Sequence, residues 1–254
     1  MVRTSPMNIS RFALIALVGL AAPLAFAQEP APAPAPAAPQ QDQGMKIRAI
    51  SFMVDKPITG LFAHDPSLPA PLPGVAFPVK TYLNHEFSLV PVKGDTVVFT
   101  ASADAASAKD TAKILTKAKL PAGFKKGIFI FLPGTGRPGD PAYRVLVMDD
   151  SLGSFPRGSV KVMNLSPVPV RIRLEKTNYE FKSGETQLIK DQPVGDNNSS
   201  SMMAFALKGT EWQRVGAGVW PHPGEKRVIE IIFENPLSRQ VELAGIRDVA
   251  VRDN

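Results

Sequence analysis

The chain has 254 residues, 44% of them hydrophobic and 20% charged, with three histidines, no cysteine and a formal net charge of +6. These proportions belong to a globular protein, not to a disordered or fully membrane-embedded one. The absence of cysteine excludes disulfides, thiolate-bound zinc, iron–sulfur clusters, cysteine nucleophiles and a lipidated N-terminal cysteine, and three histidines leave little room for an imidazole-based metal or acid–base site.

The N-terminus reads as a secretory signal peptide over residues 1–27. Arg3 and Arg11 form a basic n-region, Phe12–Leu24 is an apolar h-region, and Ala25-Phe26-Ala27 is an A-x-A cleavage site. A membrane span is the rival reading, but the run is shorter than about 20 residues and Pro23 interrupts it. Cleavage before Gln28 removes two arginines and no acid, so the mature chain keeps a net charge of +4. That charge suits anionic envelope polymers or simply solubility. No Lys/Arg run interleaved with stacking aromatics points to nucleic acid.

Residues 28–44 (QEPAPAPAPAAPQQDQG) alternate Ala and Pro and read as a disordered, semi-rigid Pro/Ala-rich linker. The folded body runs from Met45 to Asn254. Period-2 alternation dominates it, as in Val168–Glu175 (VPVRIRLE), where Val168, Val170, Ile172 and Leu174 face one way and Arg171, Arg173 and Glu175 the other. Arg227–Glu234 repeats the pattern more weakly, with Ile229, Ile231 and Phe233 on one face. Gly127–Leu132 and Tyr143–Met148 are more continuously apolar, which places them centrally in a sheet.

Further strands are expected at Lys46–Met53, Glu86–Val90, Thr96–Ala101, Lys113–Leu120, Ser159–Asn164, Tyr179–Lys182, Thr186–Lys190, Ser201–Leu207, Glu211–Val215 and Gln240–Ala244. Glycine turns at Lys93-Gly94-Asp95, Ser183-Gly184-Glu185, Lys208-Gly209-Thr210 and Pro223-Gly224-Glu225 separate them. Residues 103–119 read as a loop plus strand, with a helix capped by Asp104 as the alternative. The Pro-rich stretch Pro66–Pro78 cannot be a central strand and reads as a surface loop.

Short strands at this spacing predict an all-β fold of two antiparallel β-sandwich (immunoglobulin-like) domains, 45–152 and 153–254, cut near Ser151–Gly158. A single larger sandwich is the alternative, and the halves share no convincing sequence repeat. The runs YRVLVMDDS (143–151) and FPRGSVKVMNLS (155–166), then a strand and SGE (183–185), resemble a pattern in uncharacterised exported all-β bacterial proteins. That resemblance implies no activity, ligand or site. Physically it reads as strand, acidic corner, strand and hairpin, with Asn164 as a turn residue satisfying nearby backbone groups.

The chemistry-bearing residues assemble no catalytic set, cofactor site or metal site. The loop Gly134–Asp140 lacks the Gly-Lys-Ser/Thr of a phosphate cradle and reads as a hairpin loop. Asp149-Asp150, with Asp140 upstream, is the main acidic cluster, but neighbours on a strand point to opposite faces. His64, His85 and His222 are scattered, and no Gly-x-Ser-x-Gly elbow occurs. The expected function is therefore a non-catalytic binding or scaffolding protein of the bacterial envelope, periplasmic or extracellular, whose partner is a protein or polysaccharide. The first alternative is an envelope hydrolase using Asp149, Asp150 or Glu86, which requires carboxyls meeting in a cleft with raised pKa values. The second is a glycan-binding module in which Trp212 and Trp220, with Tyr143, form a stacking platform.

Overall fold

The computed structural model describes residues 44–54, 56–70 and 72–249. The expected leader, its cleavage site and all of the linker except Gly44 lie outside the described residues. Among the described residues the fold is all-β, with one short 3-10 turn, and no helix is long and apolar enough to cross a membrane.

The first eight strands are β1 (Met45–Ser51), β2 (Phe62–His64), β3 (Val75–Ala76), β4 (Ser88–Val90), β5 (Thr96–Thr100), β6 (Ile114–Lys119), β7 (Lys126–Pro133) and β8 (Tyr143–Asp149). They form two four-stranded sheets, β4-β1-β7-β8 and β3-β2-β5-β6. The next eight are β9 (Val160–Asn164), β10 (Val170–Leu174), β11 (Thr177–Phe181), β12 (Thr186–Ile189), β13 (Ser199–Lys208), β14 (Glu211–Pro221), β15 (Lys226–Glu234) and β16 (Val241–Val249). They form β12-β9-β15-β16 and β11-β10-β13-β14. The second set of connections repeats the first strand for strand. Four sheets in two pairs are consistent with two sandwich domains.

Most strands follow the sequence expectations, with four physical corrections, one being that β8, expected at the centre of a sheet, lies at its edge beside β7. The first sheet of each pair is not purely antiparallel, because β1 runs parallel to β7 and β9 parallel to β15. The Pro-rich stretch contributes β3, a two-residue strand at a sheet edge, where a missing ladder donor is tolerated. Strand β14 continues six residues past Val215, through Gly216 and Gly218, because both glycines pair across to β13. Residues 103–119 form a loop, a single 3-10 turn (Ala105–Ala108) capped by the Asp104 carboxylate, and then β6.

Three apolar clusters stack through the body. The first lies between the two sheets of the N-terminal pair and is rich in aromatics, with Phe77, Phe99, Phe129 and Phe131 in mutual contact. A second fills the C-terminal pair with Val162, Ile172, Leu174, Phe181 and Ile232. The third joins the two pairs: Ile50, Ile128, Ile130 and Met148 meet Met163, Ile229 and Ile231 across sheets β4-β1-β7-β8 and β12-β9-β15-β16. This middle layer explains the unbroken apolar run of β7. Phe129 and Phe131 enter the first core while Ile128 and Ile130 enter the middle one. It also corrects the expectation for β15, whose second face is not wet: Ile232 and Glu230 are buried there.

The segment between the pairs is docked, not loose. Phe155 is fully buried in the middle layer, with the Arg227 guanidinium 4.4 Å and the Lys161 ammonium 5.0 Å from its ring centre. Asn164 ends strand β9 and, as expected, its side chain satisfies backbone groups. Its Nδ2 donates to the carbonyls of Val168 (2.9 Å) and Phe181 (3.0 Å), and its Oδ1 accepts from Ser166 N (3.0 Å) and Oγ (2.7 Å).

Candidate functional site

The structure does not gather the residues expected to bind a ligand. Trp212 and Trp220 are eight positions apart on β14, an even spacing that puts side chains on one face of a regular strand. A bulge intervenes: Ala204 pairs with Gly216 but Phe205 with Arg214, leaving Val215 unpaired. Trp220 therefore turns inward onto the C-terminal core. Trp212 faces outward, where Arg171 stacks 4.1 Å from its ring centre and pairs with Glu180 at 2.6 Å. Tyr143 packs on the N-terminal core, edge-on to Phe131 at 6.3 Å.

The candidate carboxylates are also separated in role. Glu86 is exposed and pairs with Lys80 at 3.2 Å. Asp149 accepts from Ser154 Oγ (2.6 Å) and Ser151 N (2.8 Å); burial works against its charge, but these bonds outweigh burial and hold its pKa below the usual range. Asp150 points the other way, into the middle layer, and is 1% exposed. There it meets Arg48, Arg227 and Asp248 in a closed four-charge cluster. Arg48 contacts Asp150 at 2.9 Å and Asp248 at 2.7 Å, and Arg227 contacts Asp150 at 2.6 Å and also pairs with Asp248.

The cluster is neutral overall, and Arg227 also donates to the Phe155 carbonyl at 3.0 Å. Burial opposes the Asp248 charge, yet hydrogen bonds and attraction from Arg48 and Arg227 hold its pKa below the usual range. Burial likewise opposes the Arg48 charge, and the two aspartates override it. Each pair of sheets contributes one Arg and one Asp, so the charges tie the two halves together.

Placing Asp150 on Asp248 aligns the two halves by strand register. Arg48 then falls on Lys161, Lys126 on Arg227, Phe131 on Ile232, and Phe129 on Glu230. The last match marks a chemical difference. Phe129 fills the N-terminal core and is fully buried. Glu230 occupies the matching inward position and borders a cavity of about 350 Å³ between the C-terminal sheets.

The cavity lies by the edge strands β14 and β16, which approach each other less than the matching strands β6 and β8 do. Its walls include Val160, Met202, Trp220, Val228 and Leu243, with Gly218 and Gly245 leaving backbone exposed to the space. Gly245 pairs with Glu230, and a Cβ there would lie 2.9 Å from Glu230 Oε2. Glu230 is 6% exposed and forms no hydrogen bond or ion pair among the described residues. Burial alone pushes its pKa up to about 7.

A second polar group is left over in the same wall. Gln192 donates from Nε2 to Ser200 Oγ (2.8 Å) and the Trp220 carbonyl (3.0 Å), while its buried Oε1 has no partner. The carbonyl fixes this amide orientation, because it accepts only from the nitrogen. Arg247 completes the lining from β16; it is exposed and makes no ion pair among the described residues.

No protein-family model matches the chain, and no curated protein matches it. The functional reading therefore rests on this geometry. Sequence reasoning missed Glu230, Gln192 and Arg247. The visible signal was Glu230 itself, an acid flanked by Ile229 and Ile231 in a strand with apolar residues on both faces.

The remaining motifs are structural. Gly134–Asp140 joins the antiparallel strands β7 and β8. Asn197 Oδ1 caps Ser199 N at 3.2 Å. His64 is buried, with Nε2 at 2.9 Å from Thr100 Oγ1 and 3.1 Å from the Ser102 carbonyl. His85 is exposed, and His222 Nδ1 accepts from Gly224 N at 3.0 Å.

Proposed function

We propose that this is an exported, non-catalytic binding or scaffolding protein of the bacterial envelope, periplasmic or extracellular. In this reading it comprises two immunoglobulin-like sandwiches (45–152 and 153–254) behind a removed signal peptide (1–27) and a Pro/Ala spacer (28–44). The observation that carries it is the middle layer. A continuous apolar core, closed by two arginines and two aspartates, joins the halves within one compact unit. Halves joined in this way give a fixed presentation of loops and outer faces. The outer face of β11-β10-β13-β14, with Arg171, Arg173 and Trp212, is a polar and aromatic surface suited to an envelope protein or polysaccharide.

Expression of the full chain in a bacterial host, followed by fractionation and N-terminal sequencing, tests the export half of the proposal. The expected product begins at Gln28 and is found outside the cytoplasm. Cross-linking in the same cells should recover an envelope protein or polysaccharide on the mature chain. An intact N-terminus in the cytoplasmic fraction, or turnover of ester, glycoside or peptide substrates by the pure protein, would contradict it.

A further inference from the structure

We propose that the cavity of the C-terminal pair binds a small zwitterionic amine: an ammonium group inside against Glu230 and Gln192, an apolar body along the walls, and an anionic group at Arg247. The inference deepens the binding reading above by naming a ligand class.

Three observations carry it. First, the second half departs from the first at the matched core position. Where Phe129 fills the interior, Glu230 leaves about 350 Å³ open, at the small end of ligand sites. The space depends on Gly245, whose missing side chain admits the carboxylate. Second, the carboxylate bordering that space is an acceptor without a donor, and a second acceptor buried in its wall is left over. Glu230 has no partner among the described residues, and Gln192 Oε1 is buried and unsatisfied. Leaving such groups unmatched is costly, so an occupant that brings donors is favoured. An ammonium supplies three donors and one positive charge.

Third, the remaining lining sorts the rest of the molecule. Met202, Trp220, Val228 and Leu243 suit a hydrocarbon body, and Trp220 offers a ring to an ammonium as well. Arg247 stands exposed on the lining without an ion pair, beside Lys226 and His222 in an adjoining hollow. That basic rim disfavours a plain cation and favours an anionic outer end.

Calorimetric titration of the purified mature protein with 6-aminohexanoate, hexylamine and hexanoate reads each part, with Trp220 fluorescence as a second signal. The expected order of affinity is 6-aminohexanoate, then hexylamine, then hexanoate. Glu230→Gln should weaken both amines at least about tenfold without weakening hexanoate. Arg247→Gln should weaken 6-aminohexanoate about tenfold, to the level of hexylamine, and leave hexylamine unweakened. Thermal unfolding of each variant confirms that it is folded. Hexanoate binding best, or no saturation by either amine at about 10 mM in the folded wild type, overturns the proposal, as does a crystal soaked in 6-aminohexanoate whose cavity holds only water. Failure here, with export to the envelope and partner capture intact, would remove the ligand site and leave the scaffolding reading standing.

Discussion

Asp150→Ala is expected to destabilise the protein by about 3–5 kcal/mol, because it strands two buried arginines on a single carboxylate. The loss comes from an uncompensated charge more than from a missing attraction, and that distinction can be measured. Arg48→Met should cost a similar amount by stranding two aspartates. The double variant Arg48→Met with Asp150→Ala leaves Arg227 and Asp248 paired with each other and no charge stranded. Urea unfolding should show it recovering most of the loss, with a coupling energy above about 2 kcal/mol between the two sites. Simple additivity of the single losses would refute the closed-cluster interpretation.

Acid should expose the same cluster. The folded pKa of Asp248 is lowered, so its contribution is present above the ordinary carboxylate range. It is lost as pH falls through the folded value.

Glu230→Gln should act with the opposite pH sense. The carboxyl titrates near 4.5 when unfolded and about 7 when folded. Between those values the native state holds the extra proton, so stability is complete below about 4.5 and falls as pH rises through 7. At about 1.4 kcal/mol per unit, the decline amounts to roughly 3.5 kcal/mol at most. The charged group facing Glu230 from its neighbouring strand is Arg247, while the opposite sheet contributes Met202, Gly218 and Trp220 and the loop after β12 contributes Gln192, none of which titrates in this range. Glu230→Gln should match the wild type near pH 4.5 and exceed it at pH 8. Equal slopes for the two proteins between pH 5 and 8 would show that Glu230 is solvated.

The two pH effects separate what the sequence displayed from what it concealed. Alternation in Val170–Leu174 and the glycine turns around Gly94, Gly184, Gly209 and Gly224 are local properties, and they place strand ends directly; only Gly209 closes a hairpin, while the other three carry the chain from one sheet to another. The continuous apolar run of β7 announced burial on both faces. It did not announce that the second face meets another sheet pair, because that contact lies about a hundred residues along the chain.

Asp150 was visible as an acid, but its partners Arg48, Arg227 and Asp248 come from distant strands, and no spacing rule links them. The duplication is legible in connectivity alone, since matched positions carry different chemistry: Arg48 against Lys161, Phe129 against Glu230. Trp212 and Trp220 fall on opposite faces for a single reason. One unpaired residue, Val215, reverses the face of everything beyond it.

The middle layer predicts that both sheet pairs melt together, since all described residues belong to one compact unit. Differential scanning calorimetry of the mature chain tests this directly. A single transition whose calorimetric and van't Hoff enthalpies agree is the expected result. Two resolved transitions, with Asp150→Ala shifting only one of them, would mean that the halves are independent domains and that the shared core does not join them.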